Sequence, residues 1–239
     1  MSGADLADKA LMHVGRIGLT APLLYSLAIT AMLGAVSAWI GRGLASRRGR
    51  MQIAAEAIVE AMSAAVGEVV APPEVPRVLP FVATLWIFIL TANLLGLVPG
   101  LESPTRDLSV TAALATCVFL AVHAYGIRAA GLKAYLRHYL SPNPVLLPFH
   151  LVSELTRTLA LAVRLFGNMM SLEMAAMLVL LVAGFLVPVP LLLLHVIEAI
   201  VQAYIFGMLA LIYIGSAQEA AADKSPPIDR SPTPPEPKP

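Results

Sequence analysis

The sequence predicts an all-α, polytopic membrane protein with about five transmembrane helices, one of them long and tilted, and a further helix on the cytoplasmic surface. Three observations carry this expectation. Hydrophobic residues make up 58% of the 239-residue chain and charged residues 13%, against about 25% charged in an ordinary soluble domain. The mean hydropathy is +0.80. The charges are also confined, leaving windows free of Asp, Glu, Lys and Arg between Arg16 and Arg42, Arg77 and Glu102, Asp107 and Arg128, Glu173 and Glu198, and Glu198 and Glu219. Each window is about one bilayer long, because a spanning helix needs about 20 apolar residues.

Taken in order, the windows place helices at residues 19–40, 78–98, 108–127 and 191–214, and a longer segment at 151–186 supplies the fifth. Residues 1–18 hold Asp5, Asp8, Lys9 and Arg16. The apolar window after them exceeds the core of a signal peptide, about 7 to 15 residues, so the first helix is expected to be retained and 1–18 to be an external segment. Residues 51–70 interleave Ala, Ile and Val with Glu56, Glu60 and Glu68, a helical pattern too polar to span and suited to the cytoplasmic membrane surface. Pro72, Pro73 and Pro76 end it. Residues 19–216 form one membrane domain, and 217–239, rich in Pro, Ser and mixed charge, read as a disordered cytoplasmic tail.

Basic residues cluster at Arg42, Arg47, Arg48 and Arg50 after the first helix and at Arg128, Lys133 and Arg137 after the third. By the positive-inside rule both loops are cytoplasmic, which puts the loop at 99–107 outside and the C-terminus inside. If helical throughout, the 36 residues of 151–186 would extend about 54 Å, against a hydrocarbon core about 30 Å thick. Such a helix must tilt, bend or begin in the interface, and only a neighbour holds a large tilt. Another subunit is therefore implied.

A net charge of +1 with basic residues flanking membrane segments excludes a nucleic-acid partner. The single Cys117 can form neither an internal disulfide nor a metal cluster, and fits a small packing residue. A secondary ion-coupled transporter is the alternative reading, and the lack of an internal repeat of useful length weakens it. A structural scaffold leaves the intramembrane charges without a purpose.

Within 151–173, LVSELTRTLALAVRLFGNMMSLE, the residues Glu154, Arg157, Arg164, Asn168 and Glu173 interrupt an otherwise apolar helix. Arg164 lies deepest. Arginine at mid-membrane costs about 2.5 to 3.5 kcal/mol on insertion scales, so such a residue is normally functional. No acid stands three or four residues from Arg164, which removes an ion pair along the helix; snorkelling or a fixed pair elsewhere are the structural alternatives. Arg157, one turn from Glu154, suits a structural pair better. Spacings of 7 and 4 put Arg157, Arg164 and Asn168 on one face. Glu173, nine residues beyond Arg164, is turned about 180° away and is either an interfacial acid or the lining of a cavity with His195 and Glu198.

His195, Glu198 and Gln202 stand at i, i+3 and i+7, one stripe in the outer half of the last helix. Such a ladder can pass protons or hold water, since each member offers donors or acceptors within about a turn of the next; one polar residue alone would be ordinary interhelical glue. Thr91, Asn93 and His123 read as satisfied interhelical hydrogen bonds. His150 fits either an interface or an inner-channel wall.

The run Arg164 to Met169, RLFGNM, resembles the signature of the a subunit of F-type ATP synthases, the membrane F0 sector. The likeness continues in NLLGLVPG at 93–100, in Glu173, and in EAIVQAYIFGMLALIYI at 198–214, and so spans most of the chain. Where the family often has Arg-Pro and Gly-Glu, this chain has Arg157-Thr158 and Leu172-Glu173. The resemblance implies a stator subunit of a multi-pass bacterial inner-membrane complex, with a ring of c subunits, b-type peripheral stalk subunits and other ATP synthase subunits as partners. It implies translocation of H+ or Na+ through two offset half-channels, with no cofactor, no metal and no ATP-binding site on this chain. Arg164 matches the essential arginine facing the ring carboxylate. Glu173, His195, Glu198, Gln202 and Asn168 match the ion pathway, and His150, Ser153 and Glu154 are inner-channel candidates.

Overall fold

In hydrocarbon every backbone N–H and C=O must be satisfied internally, which leaves the helix as the natural state of each apolar window. A computed structural model describes residues 12–14, 17–19, 21–43, 50–98, 101, 103–132, 135, 147–183 and 188–222. The described chain is helical apart from a two-stranded antiparallel ribbon, β1 (Met12–Val14) and β2 (Ile17–Leu19), in which Met12 pairs with Leu19. The helices are α1 (Ala21–Gly43), α2 (Arg50–Gly67), α3 (Val75–Leu95), α4 (Leu108–Ala130), α5 (Leu147–Ala183) and α6 (Pro188–Ala222). Five of them are long and apolar enough to cross a membrane, α2 being the exception. The protein is thus an all-helical, multi-pass membrane protein, as the charge-free windows predict.

Short one-turn 3-10 segments at Pro72–Glu74 and Pro104–Arg106 lead into α3 and α4. Asp107 caps α4, its carboxylate accepting from the Ser109 N–H at 2.6 Å, which satisfies one of the donors left free at a helix start. At the other end Gly131 takes φ +79°, a left-handed conformation that suits glycine, and its N–H donates to the Ile127 carbonyl at 2.7 Å.

α5 is 37 residues long, bearing out the expectation of a helix that overshoots the bilayer. α6 is 35 residues long and continues through 217–222, where the sequence suggests the tail begins. The reason is local: AQEAAA has high helix propensity, and Ala217 packs on the core beside Gly126, within 3.4 Å of where a Cβ on that glycine would stand. The rest of the tail, the basic positions Arg47, Arg48, Lys133 and Arg137, and residues 1–11 lie outside the described residues.

α6 packs against α3 and α4, and α5 closes on α4 and α6, while α1 lies at the margin against α3 and the Pro104–Arg106 turn. Lipid tails are as apolar as leucine, so helices here are held by close approach and not by water exclusion. α6 supplies the close approach with Ala199, Ala203, Gly207 and Ala210, all buried. The Trp86 indole of α3 lies directly on Gly207, its Nε1–H donating to the Tyr204 carbonyl at 3.3 Å. Its ring stacks on Tyr204 with centroids 6.2 Å apart.

Two smaller expectations change. Cys117 is exposed because the buried stripe of α4 runs through Ala115, Val118 and Val122, so it takes no part in the packing among the described residues. Thr91 donates to the Ile87 carbonyl at 2.7 Å, within its own helix, whereas His123, whose Nδ1 lies 2.8 Å from the Phe119 carbonyl, also meets the Tyr135 ring edge-on with ring centres 6.0 Å apart.

A Cβ on Gly207 would overlap the Trp86 indole, whereas one on Gly34 would meet nothing within 4 Å. Gly207→Val is therefore expected to destabilise the fold by about 1 to 3 kcal/mol, the usual range for overpacking, while Gly34→Ala stays neutral. Thermal melting of the purified protein in detergent checks both.

Candidate functional site

The polar residues that cannot face lipid meet where α3, α5 and α6 converge. On one side lies a cavity of about 480 Å³ whose polar wall is Ser103, Arg106, Asp107 and Glu173. Glu173, on α5, accepts a 2.9 Å hydrogen bond at Oε2 from Arg106 Nη1; their side chains are 14% and 34% exposed. The other oxygen, Oε1, is 3.5 Å from the point where a Cβ on Gly96 would stand, and the Asn93 carbonyl oxygen is 3.5 Å from that same point. A Cβ on Gly96 would press on the Ser103 Cβ at 3.1 Å, so the glycine lets the Ser103 turn close on the end of α3.

Asn93 continues the polar line inward. It is fully buried, its Oδ1 accepts from Thr105 at 2.7 Å, and its carbonyl lies 3.3 Å from His195 Nε2. Ser103 joins the cluster, donating to the Ala92 carbonyl at 2.9 Å and lying 2.6 Å from the Thr105 hydroxyl. One turn along α6 comes half-buried Glu198, and one turn further Gln202, whose Oε1 accepts from Asn168 Nδ2 of α5 at 2.7 Å. Asn93 Nδ2 and Gln202 Nε2 are buried with no hydrogen-bond partner among the described residues. Buried amide donors are nearly always satisfied, so two orphans on either side of His195 along this line mark a place for water.

The stripe His195, Glu198, Gln202 therefore exists, but it serves two neighbours: His195 turns to α3 and Gln202 to α5. Glu173 lines its cavity with Arg106 and Asp107, and His195 is reached through Asn93 instead of standing in the same wall. Asn93 is only partly satisfied, contrary to the expectation of a closed interhelical bond.

Arg164 lies one turn from Asn168 on α5, exposed, with no ion-pair or hydrogen-bond partner among the described residues. It belongs to a row at alternating spacings of four and three: Ser153, Arg157, Ala160, Arg164, Gly167, Ser171, Met174, Leu178 and Leu181. Every member is exposed except half-buried Gly167, beyond whose Cα nothing lies within 4 Å. That repeat is the seam of a helix that packs lengthwise against another, and from Ala160 onward it lies exposed within this chain, Gly167 apart.

At the start of α5, His150 and Ser153 are exposed and Glu154 is half-buried. These three share a face with Arg157, whose guanidinium carbon lies 5.4 Å from the Tyr213 ring centre, a cation–π contact with α6.

Two features escape the sequence reading. Arg106 sits in a loop assigned to the outside and shows its role only through a partner 67 positions away; its signal was a lone cation where the positive-inside rule expects few. The α5 seam was legible as a strict four-three repeat.

The sequence model of the ATP synthase A chain matches residues 23–215. The chain belongs to this family. Among curated relatives, ATP synthase subunit a 1 of Hahella chejuensis is 54% identical over 212 residues, covering 89% of this chain and 90% of the relative. ATP synthase subunit a 2 of Pelobacter propionicus is 57% identical over 226 residues, 91% of this chain and 96% of the relative. ATP synthase subunit a of Legionella pneumophila is 61% identical over 174 residues, 73% of this chain and 75% of the relative. As a member of the ATP synthase A chain family, this chain is a membrane subunit of an F-type ATP synthase and sits in that complex with other subunits.

The Asn168–Gln202 bond offers a test of the α5–α6 junction. Removing one partner strands the other, at about 1 to 3 kcal/mol, whereas replacing both by apolar groups of similar shape is far milder. Gln202→Leu and Asn168→Leu are each expected to lower the melting temperature of the assembled complex more than the double variant does.

Proposed function

We propose that the chain is the stator of a rotary ATP synthase, forming two offset half-channels against a ring of c subunits and coupling ion flow to ring rotation. The observation that carries the reading is the open α5 seam with Arg164 at its centre, beside a buried polar line that begins in a cavity. Ala160, Gly167 and Ser171 keep the seam low around Arg164, so that a partner helix can approach the guanidinium. A carboxyl on that partner is neutral while it faces lipid, because a bare carboxylate there is costly. Beside Arg164 the fixed positive charge favours the ionised form and release of the bound ion. The same charge repels a cation crossing directly between the half-channels, which leaves rotation as the route.

In this reading the outer path runs from the cavity at Glu173 through Asn93 and His195, past Glu198, to Gln202 and Asn168. The inner path opens at the other end of α5, where His150, Ser153 and Glu154 share a face with Arg157. The ion is H+ or Na+; its choice belongs to the ring carboxylate, on another chain. The ring and the b-type stalk subunits are the partners, in a bacterial inner membrane with the C-terminus cytoplasmic. A reporter fused after Ala222 is expected to read as cytoplasmic, and an external signal would invert the orientation of every half-channel named here.

The decisive residue is Arg164. Guanidinium stays protonated when desolvated beside a carboxylate, whereas lysine sheds its proton readily when buried. In the complete complex reconstituted into vesicles, Arg164→Lys and Arg164→Ala are expected to abolish ATP synthesis driven by an ion gradient while the subunit still assembles. Passive ion leakage persists or rises in the alanine variant, because the barrier between half-channels is gone. Arg157→Ala is expected to be milder. Substantial coupled synthesis by assembled Arg164→Ala complex would sink the mechanism.

A further inference from the structure

The ion pair between Arg106 and Glu173 stands in the wall of the cavity, partly buried. One carboxylate oxygen, Oε2, is held by Arg106 at 2.9 Å. The other, Oε1, lies beside Gly96, 3.5 Å from where a Cβ on that glycine would stand. The other charge in the wall, Asp107, is engaged as the cap of α4, its Oδ1 taking the Ser109 N–H at 2.6 Å and the Ser109 hydroxyl at 2.7 Å. Arg106 is the cation against Glu173, bridging the Pro104–Arg106 turn to the middle of α5. It stands within the cavity that a cation would use.

A guanidinium cannot give up its proton, so an arriving cation does not discharge it; it competes with it. We propose that Arg106 is a tethered competitor for the transported cation at Glu173, a positioning residue that compensates the carboxylate when no ion is present and keeps an arriving ion from being held too tightly. The inference rests on the transport reading above. Conduction needs a site favourable enough to fill and weak enough to empty, and a resident positive charge provides the second condition without a moving part. A purely structural clamp would tie the turn to α5 and leave ion uptake unaffected.

The test uses the complete ATP synthase in vesicles, with a fixed electrical potential and ATP synthesis followed as the ion on the cavity side is varied. Protons are titrated in one series and Na+ at constant pH in another, and the series that supports synthesis is read. Removing an opposite charge beside a carboxylate alters its cation affinity by a factor of about ten or more. Arg106→Gln is therefore expected to lower the half-saturating ion concentration about tenfold and to reduce the maximal rate, because the ion leaves Glu173 more slowly. Arg106→Lys, which keeps the charge, is expected to stay close to the parent. An assembled Arg106→Gln complex with parental half-saturation overturns the proposal, as does a lysine variant that behaves like glutamine. Should Arg106→Gln fail to assemble, Glu173→Gln is compared with Arg106→Gln/Glu173→Gln, neither of which strands a carboxylate. Equal half-saturation in that pair upholds action through Glu173, and a tenfold difference overturns it. Arg164→Ala, measured alongside, separates the two ideas: retained synthesis there defeats the transport reading, while lost synthesis with an unaltered Arg106→Gln curve defeats this inference alone.

Discussion

A guanidinium on the outer face of a membrane helix has to reach water or a counter-charge, and Arg164 finds no counter-charge among the described residues of its own chain. At mid-membrane the deficit is several kcal/mol on the mildest scales. Much of α5 reads as an accommodation of that one charge. The residues on either side of it along the seam are small, so that the approach of a second helix is not blocked. The helix is 37 residues long and presents its seam over nine positions, more than a short contact would require. A chain that merely had to span lipid would gain from leucine at each of these places.

The same intolerance of exposed charge explains why the remaining polar groups are gathered inside. His195 and Gln202 are about as buried as the core valines, and they sit where α3, α5 and α6 meet, shielded by protein on every side that would otherwise be lipid. Polar backbone and side chains at membrane depth are tolerated where they are enclosed or line a wet cavity. The orphan donors of Asn93 and Gln202 show that this enclosure is not a closed network. A core built only for stability would pair or remove them. Here the close approach that makes the enclosure possible is bought with glycine: Gly96 admits Ser103 to the end of α3, and Gly207 lets the Trp86 indole settle on α6.

The fold was legible because charge in a membrane protein is sparse and each charge is a punctuation mark. Windows between charges marked four of the five long helices and the longer apolar segment at 151–186 the fifth, with ends shifted by a few residues where capping and propensity act: Asp107 and Gly131 set the limits of α4, and the alanines after Ser216 prolong α6. The candidate site was legible only in part. Periodicity put Glu173 on the far side of α5 from Arg164, and the seam's openness together with the Glu173–Arg106 pair agrees with that rotation. It could not say which neighbour each polar residue would meet, because partners lie on other helices at distances along the chain that no local pattern encodes. Hence Arg106 was missed, Asn93 was undervalued, and the single ladder on α6 divided between α3 and α5.

In the proposed scheme the opposition of Glu173 and Arg164 across α5 has a mechanical consequence. Between Arg164 and Met174, which borders both the cavity and the seam, the helix itself is the wall, so an ion at Glu173 does not reach a ring carboxylate at Arg164 by continuing along the same face. It must pass around α5 through the α5–α6 junction, and at that junction stands the Asn168–Gln202 hydrogen bond, one turn from Arg164. An amide pair suits that position because each member has both donor and acceptor atoms and neither carries a charge to trap a cation. Gln202 also retains a buried donor free of any protein acceptor among the described residues, so the pair can bind a water or a hydrated ion without first breaking its own bond. The charges at either end, Glu173 paired with Arg106 and Arg164 open to a partner, then define the direction of travel, while the neutral pair between them sets only the passage.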